Sequence, residues 1–124
     1  MIKVFCAILA TLAHAEVTKE NGVIVLSESN FDEGVAAHEH ILVEFYAPWC
    51  DHCKTLAPKY EEAAFELSKL GLPLAKVDAK SNSKLAERFE IDGYPMLKFF
   101  ENGRYSSEYT GGYEVIDIVK WVQR

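Results

Sequence analysis

Apolar positions along the chain fall into short runs whose period changes from two to nearly four and back. Val23-Ile24-Val25-Leu26 has the length of a short strand. Asn30 is suited to cap a short helix around Phe31 to Ala37. Ile41-Leu42-Val43-Glu44-Phe45-Tyr46 is almost continuously apolar, the pattern of a strand buried on both faces. From Cys50 to Leu70 the period lengthens. Leu56, Tyr60, Ala63, Ala64, Leu67 and Leu70 recur at helical spacing, and Gly71 is a good stop. Pro58 lies inside this helix, where its missing N–H predicts a kink.

Leu74 to Asp78 reads as another strand, and Ser81 or Ser83 can cap a helix carrying Leu85, Ala86 and Phe89. Met96 to Phe100 is a strand after Asp92-Gly93-Tyr94-Pro95. Asn102-Gly103 is a strong hairpin signal, with a return strand from Arg104 to Tyr109. The last helix begins near Tyr113 and carries Val115, Ile118, Val119 and Val122 on one face. The order is β-α-β-α-β-α-β-β-α, with no internal repeat or low-complexity linker. Strands alternating with helices predict an α/β fold with a mainly parallel central sheet, and the hairpin adds an antiparallel edge.

The first fifteen residues break this pattern. MIKVFCAILATLAHA carries one lysine near its start, then an apolar run, then Ala13-His14-Ala15. That is the plan of a secretory signal with a small-x-small cleavage site, and the run is too short to span a membrane. A buried first helix is the alternative, but no polar face is visible in the run. The expected division is a leader at 1–15 and one domain at 16–124. Cys6 leaves with the leader, so Cys50 and Cys53 are the remaining cysteines. No disulfide framework is available, and stability must come from an ordinary core. The net charge of −6, without a basic cluster, excludes nucleic acid as a natural partner.

The pair lies in FYAPWCDHCK, residues 45–54. Three uses compete. A closed zinc site needs four ligands, and only His52 is local. His38 and His40 precede the strand that leads to the pair, and at about 3.3 Å per residue that strand carries them to the opposite end of the sheet. A structural disulfide closing so short a loop removes little chain entropy. Redox exchange fits best. Cys50 sits where a buried strand ends and a helix begins, and the unpaired N–H groups there favour a thiolate. Protonated His52 adds a second positive influence. Cys53, one turn further, can close the ring or release a trapped partner.

FYAPWCDHCKTLAPKYEEAA, LAKVDA and GYPMLKFFENG closely resemble the thioredoxin-like catalytic domains of the protein disulfide isomerase family. The resemblance covers most of residues 20 to 123, and a leader directly before the domain resembles the N-terminal catalytic domain. It implies a thioredoxin fold, with a central mixed sheet flanked by helices, and residence in the endoplasmic reticulum lumen. A chain complete without a retention tail would instead be secreted. It also implies oxidation, reduction and reshuffling of disulfides in unfolded or partly folded clients, with glutathione or a thiol oxidase as redox partner. No cofactor is implied. Cys50 takes the attacking role and Cys53 the resolving role.

Glu44 interrupts the apolar run at 41–46. A solvated carboxylate on an edge strand is the simpler reading, which burial on both faces opposes. Desolvation would raise its pKa, and it could then take the proton of Cys53. The family has a buried glutamate at this place. Lys76 matches the family's lysine partner for it, although a surface lysine at a strand end has the same pattern. If the two strands are neighbours, Lys76 pairs with Glu44. Pro95 corresponds to a cis proline facing the cysteines, although a proline that simply opens an edge strand has the same pattern. With Tyr94 it would line a groove for an extended client segment, rimmed by Trp49, Tyr94 and Met96. Ordinary core packing is the alternative for the aromatics.

Three positions depart from the family. Asp51 replaces the usual glycine between the cysteines, and its charge opposes a thiolate at Cys50, so a less oxidising site is expected. Met96 replaces a threonine after the proline. Tyr113 replaces an arginine that would favour ionisation of the resolving cysteine. These changes keep a second class open, a low-turnover thioredoxin-like module that binds clients as a chaperone or docking domain. The leader carries its own prediction. N-terminal sequencing of the exported protein should begin at Glu16, and Met1 there would refute cleavage after Ala15.

Overall fold

The longest apolar strand run becomes one of two central strands. The computed structural model describes residues 16–124. The expected leader at 1–15, with Cys6, lies outside the described residues. The elements are β1 (Thr18–Glu20), β2 (Val23–Leu26), α1 (Phe31–Ala36), β3 (His40–Tyr46), α2 (Asp51–Ser68), β4 (Leu74–Asp78), α3 (Ser83–Arg88), β5 (Met96–Glu101), β6 (Arg104–Glu108) and α4 (Val115–Gln123). They form one six-stranded sheet in the order β1-β2-β4-β3-β5-β6. No described helix is long and apolar enough to cross a membrane.

The expectation of a mainly parallel sheet needs correction. β2 and β3 both run parallel to β4, but β1–β2, β3–β5 and β5–β6 are antiparallel. The sheet is mixed. Two of the three antiparallel pairs, β1–β2 and β5–β6, have a local reason, an Asn-Gly turn in each hairpin. Asn102 and Gly103 have φ of 52° and 81°, and Asn21 and Gly22 have φ of 50° and 85°. Both central residues of such a turn need positive φ, which asparagine tolerates and glycine adopts freely. The second hairpin adds β1, whose three residues are polar and exposed and carry no apolar signal.

Each face of the sheet has its own core. Val23, Leu42, Leu74, Leu97 and Phe99 pack under α2 and α4, against Leu56, Tyr60, Leu67, Ile118 and Val122. Ile24, Leu26, Val43, Phe45, Val77 and Phe100 pack under α1 and α3, against Phe31, Val35 and Leu85. Alternation within each strand produces this division. Gly34 allows α1 to approach, because a Cβ there would meet Leu26 Cδ2 at 2.6 Å.

Helix ends differ from expectation in detail. α2 stops at Ser68, so Leu70 lies beyond it and is exposed. The helix continues through Pro58. Asn30 is the cap residue of α1, but its side chain turns away from the helix. Its Oδ1 accepts from Ser27 N at 2.7 Å and its Nδ2 donates to Glu16 O. Asn82, not Ser81 or Ser83, caps α3, and its side chain ties the turn to Glu28 N and Asp78 O. α4 starts at Val115 after a reciprocal capping box of Glu114 and Asp117.

Tyr60 joins the two central strands. Its hydroxyl lies 3.1 Å from Leu42 O and 2.8 Å from Ala75 O, in a fully buried setting. Tyr60→Phe removes this donor without opening a large cavity. We expect a loss of about 1–2 kcal/mol in urea unfolding with an unchanged m-value. A loss below about 0.3 kcal/mol would show that the hydroxyl contributes nothing net.

Candidate active site

Strand β3 ends at Tyr46 and a short turn delivers Cys50 to the N-cap of α2. Cys50 N donates to Ala47 O at 3.1 Å, which fixes the turn. The Cys50 sulfur accepts the backbone N–H of Cys53 at 3.1 Å. A sulfur in the N-cap position thus takes the role usually filled by a side-chain oxygen, and the amide that reaches it would solvate a thiolate. Both cysteines are buried free thiols, 8% and 4% exposed. The small cluster around them contains Ala47, Tyr46 and Tyr94.

The loop before β5 closes over this helix start. The Tyr94–Pro95 peptide is cis. The Cys50 thiol lies 3.7 Å from Tyr94 O, so the loop carbonyl and this sulfur face each other. Trp49 is 61% exposed and meets the Tyr94 ring edge-on at 5.6 Å. Met96 is partly buried and pairs in register with Phe45. Of the predicted rim residues, Tyr94 reaches the Cys50 sulfur through its carbonyl and Trp49 packs on Tyr94, while Met96 shares the face of Phe45. His52 lies in the first turn of α2 and shares a hollow of about 280 Å³ with Thr55, Leu56, Lys59, Pro95 and Tyr113.

Beneath the pair the chemistry is set by burial. The Cys53 thiol is pushed up to about 12, chiefly by desolvation, then by its hydrogen bond with Cys50. The Ala47 backbone opposes this, while the charges of Cys50 and Glu44 add to it. Glu44 is 3% exposed. Desolvation raises its carboxyl to about 7, and the positive charge of Lys76 restrains the rise. A carboxyl in that range can hold or release a proton near neutrality.

Lys76 is the register partner of Glu44 across β3 and β4. Its ammonium nevertheless lies on Glu20 of β1, at 2.8 Å, and makes no ion pair with Glu44 among the described residues. The expected Lys76–Glu44 ion pair is replaced for a topological reason. β1 places a solvated carboxylate on the same sheet face, and a buried ammonium–carboxylate pair carries a larger desolvation penalty. Burial alone would lower the Lys76 pKa. The hydrogen bond and charge of Glu20 outweigh it, with smaller help from Tyr46 and Glu44, so the net direction is upward.

Glu20 is the site residue that sequence reasoning missed. The signal was present, since Asn21-Gly22 repeats the dipeptide read as a hairpin at 102–103. Tyr113 lies on the rim of the His52 hollow. In the loop before it, a Cβ at Gly111 or Gly112 would meet the Tyr109 hydroxyl or the Asp117 carboxylate respectively. The Tyr113 phenol is raised by burial and by the charges of Glu108, Glu44 and Cys53, and it supplies no cation. Lys59 in the same hollow is held by Glu114 at 2.9 Å. No group of three or more His, Cys, Asp or Glu side chains among the described residues is arranged to hold a metal ion.

Comparison with known proteins agrees with this architecture. The thioredoxin family model matches residues 22–124. The chain is 46% identical over 128 residues to a protein disulfide-isomerase of Gallus gallus, covering 100% of this chain and 25% of that protein. It is 54% identical over 110 residues to a protein disulfide-isomerase of Oryctolagus cuniculus, covering 86% of this chain and 22% of that protein. The chain thus spans about a quarter of the length of these curated relatives. The first thioredoxin domain of mouse protein disulfide-isomerase A4 superposes with a TM-score of 0.81 at 41% identity, covering 92% of this chain and 85% of that one. With its mixed sheet of thioredoxin fold, the chain belongs to the thioredoxin family, as a thioredoxin-like domain of the protein disulfide isomerase family.

Proposed function

We propose that this domain is a thiol–disulfide oxidoreductase and isomerase acting on folding secretory polypeptides through Cys50 and Cys53. The observation that carries this reading is the N-cap sulfur of Cys50, which accepts the Cys53 amide and faces the Tyr94 carbonyl. In reduction, the Cys50 thiolate attacks one sulfur of a client disulfide. A mixed disulfide forms and a client thiolate leaves. Cys53 then loses its proton and attacks the Cys50 sulfur. The Cys50–Cys53 disulfide forms, and the second client thiol is released reduced. Oxidation runs the same steps backwards. In isomerisation the first client thiolate returns to attack another bond before Cys53 acts.

Cys53 cannot ionise unaided near neutrality, because its thiol is pushed up to about 12. Glu44, raised to about 7, is the base beneath it. The client segment would lie along Tyr94, Pro95 and Met96 with Trp49 at its edge, held by strand-like main-chain bonds. Glutathione or a thiol oxidase would reset the pair. The proposed location is the lumen of the endoplasmic reticulum, reached through the leader at 1–15.

A second reading, a client-binding module with little turnover, is favoured by the high Cys53 pKa and by tyrosine, not a cation, at position 113. Cys53→Ser separates the two. A redox enzyme should accumulate client mixed disulfides through Cys50, seen on non-reducing gels and lost on reduction. A module that binds without exchange gives none, and that result would sink the redox reading. Glu44→Gln tests the base. Release of a preformed mixed disulfide should slow on the order of a hundredfold, with formation changed less than about twofold. The sign of the pH dependence follows. Glu44 accepts a proton only as carboxylate, so wild-type release should rise through about pH 7. The glutamine variant should lose that inflection, and equal slowing of both steps would count against the role.

A further inference from the structure

Glu20, Val25, Lys76, Glu44 and Leu97 point to one face of the sheet, the face covered by α2. The register fixes this. Glu20 pairs with Val23, Val25 with Lys76, Lys76 with Glu44, and Glu44 with Leu97. Residues paired in register share a face, and residues two apart on a strand share it too. The rank therefore runs from the edge strand inward to the buried carboxylate. It contains one ammonium and two carboxylates. Glu20, at the edge, has a side chain 63% exposed; that of Lys76 is 18% exposed. Glu44 lies deepest, at 3%.

The ammonium cannot be close to both carboxylates on equal terms. It sits at 2.8 Å from Glu20, on the solvent side, and its stem crosses the Tyr46 ring with the ammonium 5.8 Å from the centroid. We propose that Glu20 is a positioning residue for the redox site: by anchoring Lys76 at the sheet edge, it holds that charge back from Glu44. Glu44 then remains a protonatable base beneath Cys53. This inference rests on the reading of Glu44 as the base for the resolving thiol. Without Glu20, Lys76 would swing inward and favour the Glu44 carboxylate, and a weaker base would serve Cys53.

The groups that face these side chains are few. Glu44 is faced by Lys76 from β4, Tyr46 from its own strand, Cys53 and Tyr60 from α2, and Tyr113 from the loop before α4. Lys76 is faced by Glu20 from β1 and by Tyr46 and Glu44 from β3. From β2 and β5 the register partners, Val25 and Leu97, are uncharged. Lys76 is thus the cation whose placement decides how strongly Glu44 holds its proton, and Glu20 is the residue that places it.

The experiment follows the Glu44 side-chain carboxyl carbon by NMR titration in the reduced protein. The variants are Glu20→Gln, Lys76→Met and the double variant. Glu20 is exposed, so its amide replacement leaves the core untouched. Glu20→Gln should lower the Glu44 midpoint by about half a pH unit or more, and the pH midpoint of mixed-disulfide release should fall with it. Lys76→Met should raise the Glu44 midpoint. In the Lys76→Met background, Glu20→Gln should shift it much less than in the wild type. A Glu44 midpoint that stays or rises in Glu20→Gln would overturn the proposal. An equal drop with and without Lys76 would overturn it as well, because Glu20 would then act directly. If Glu44→Gln releases clients as fast as wild type, the base reading fails, yet the carboxyl titration still decides what Glu20 does.

Discussion

The site depends on β3 being enclosed on all four sides. Parallel β4 and antiparallel β5 pair along it, and the two cores cover its faces. A strand so confined has one register and one direction, because a slip of one residue would exchange its two faces. Its end is therefore a fixed point from which a short turn can aim a sulfur. Its neighbours are fixed with it. β4 presents Lys76, and β5 begins at Met96 directly after the cis peptide that faces Cys50. Three strand ends thus converge on the start of one helix. Precision of this kind comes from packing, since side chains on a rigid scaffold lose little order when a partner arrives.

Electrostatics then divides two chemically identical thiols. Cys50 accepts an amide N–H at the first turn of α2, whereas Cys53, one turn in, sits over an apolar floor and a carboxyl. One sulfur is hydrogen-bonded at the helix start and the other is held protonated by burial. This asymmetry comes from position alone, since the two thiols sit one helical turn apart. The Glu44 carboxyl is buried on β3, and Tyr60 holds the strands that carry and flank it. Its hydroxyl ties β3 to β4 two residues from Glu44.

Much of this was legible in the sequence because the signals were local. The uninterrupted run at 41–46 marked a buried strand, with Glu44 as its one anomaly. Cys50 stood where the period changed, and Asn102-Gly103 marked its turn. What escaped lay between distant residues or in elements without an apolar signature. β1 is Thr-Lys-Glu, and its pairing follows from a turn rather than from burial. The ion-pair partner of Lys76 could not be read, because Glu20 lies 56 positions away along the chain and reaches it only across β2. Asn82 takes the cap position in place of two serines because its side chain secures Glu28 N and Asp78 O rather than the helix, contacts fixed by the fold.

The buried carboxyl has a thermodynamic corollary. Its ordinary value is 4.5 and its value in the folded domain is about 7, so the native state binds this proton more tightly than the unfolded chain does. Folding is then unhindered by Glu44 below pH 4.5, loses ground as pH climbs, and carries the full penalty above 7. From the difference in proton affinity the penalty is on the order of 3 kcal/mol, a sizeable fraction of what holds a domain of this size together. Alkaline conditions, which would best ionise Cys53, are therefore those in which Glu44 costs the surrounding fold most.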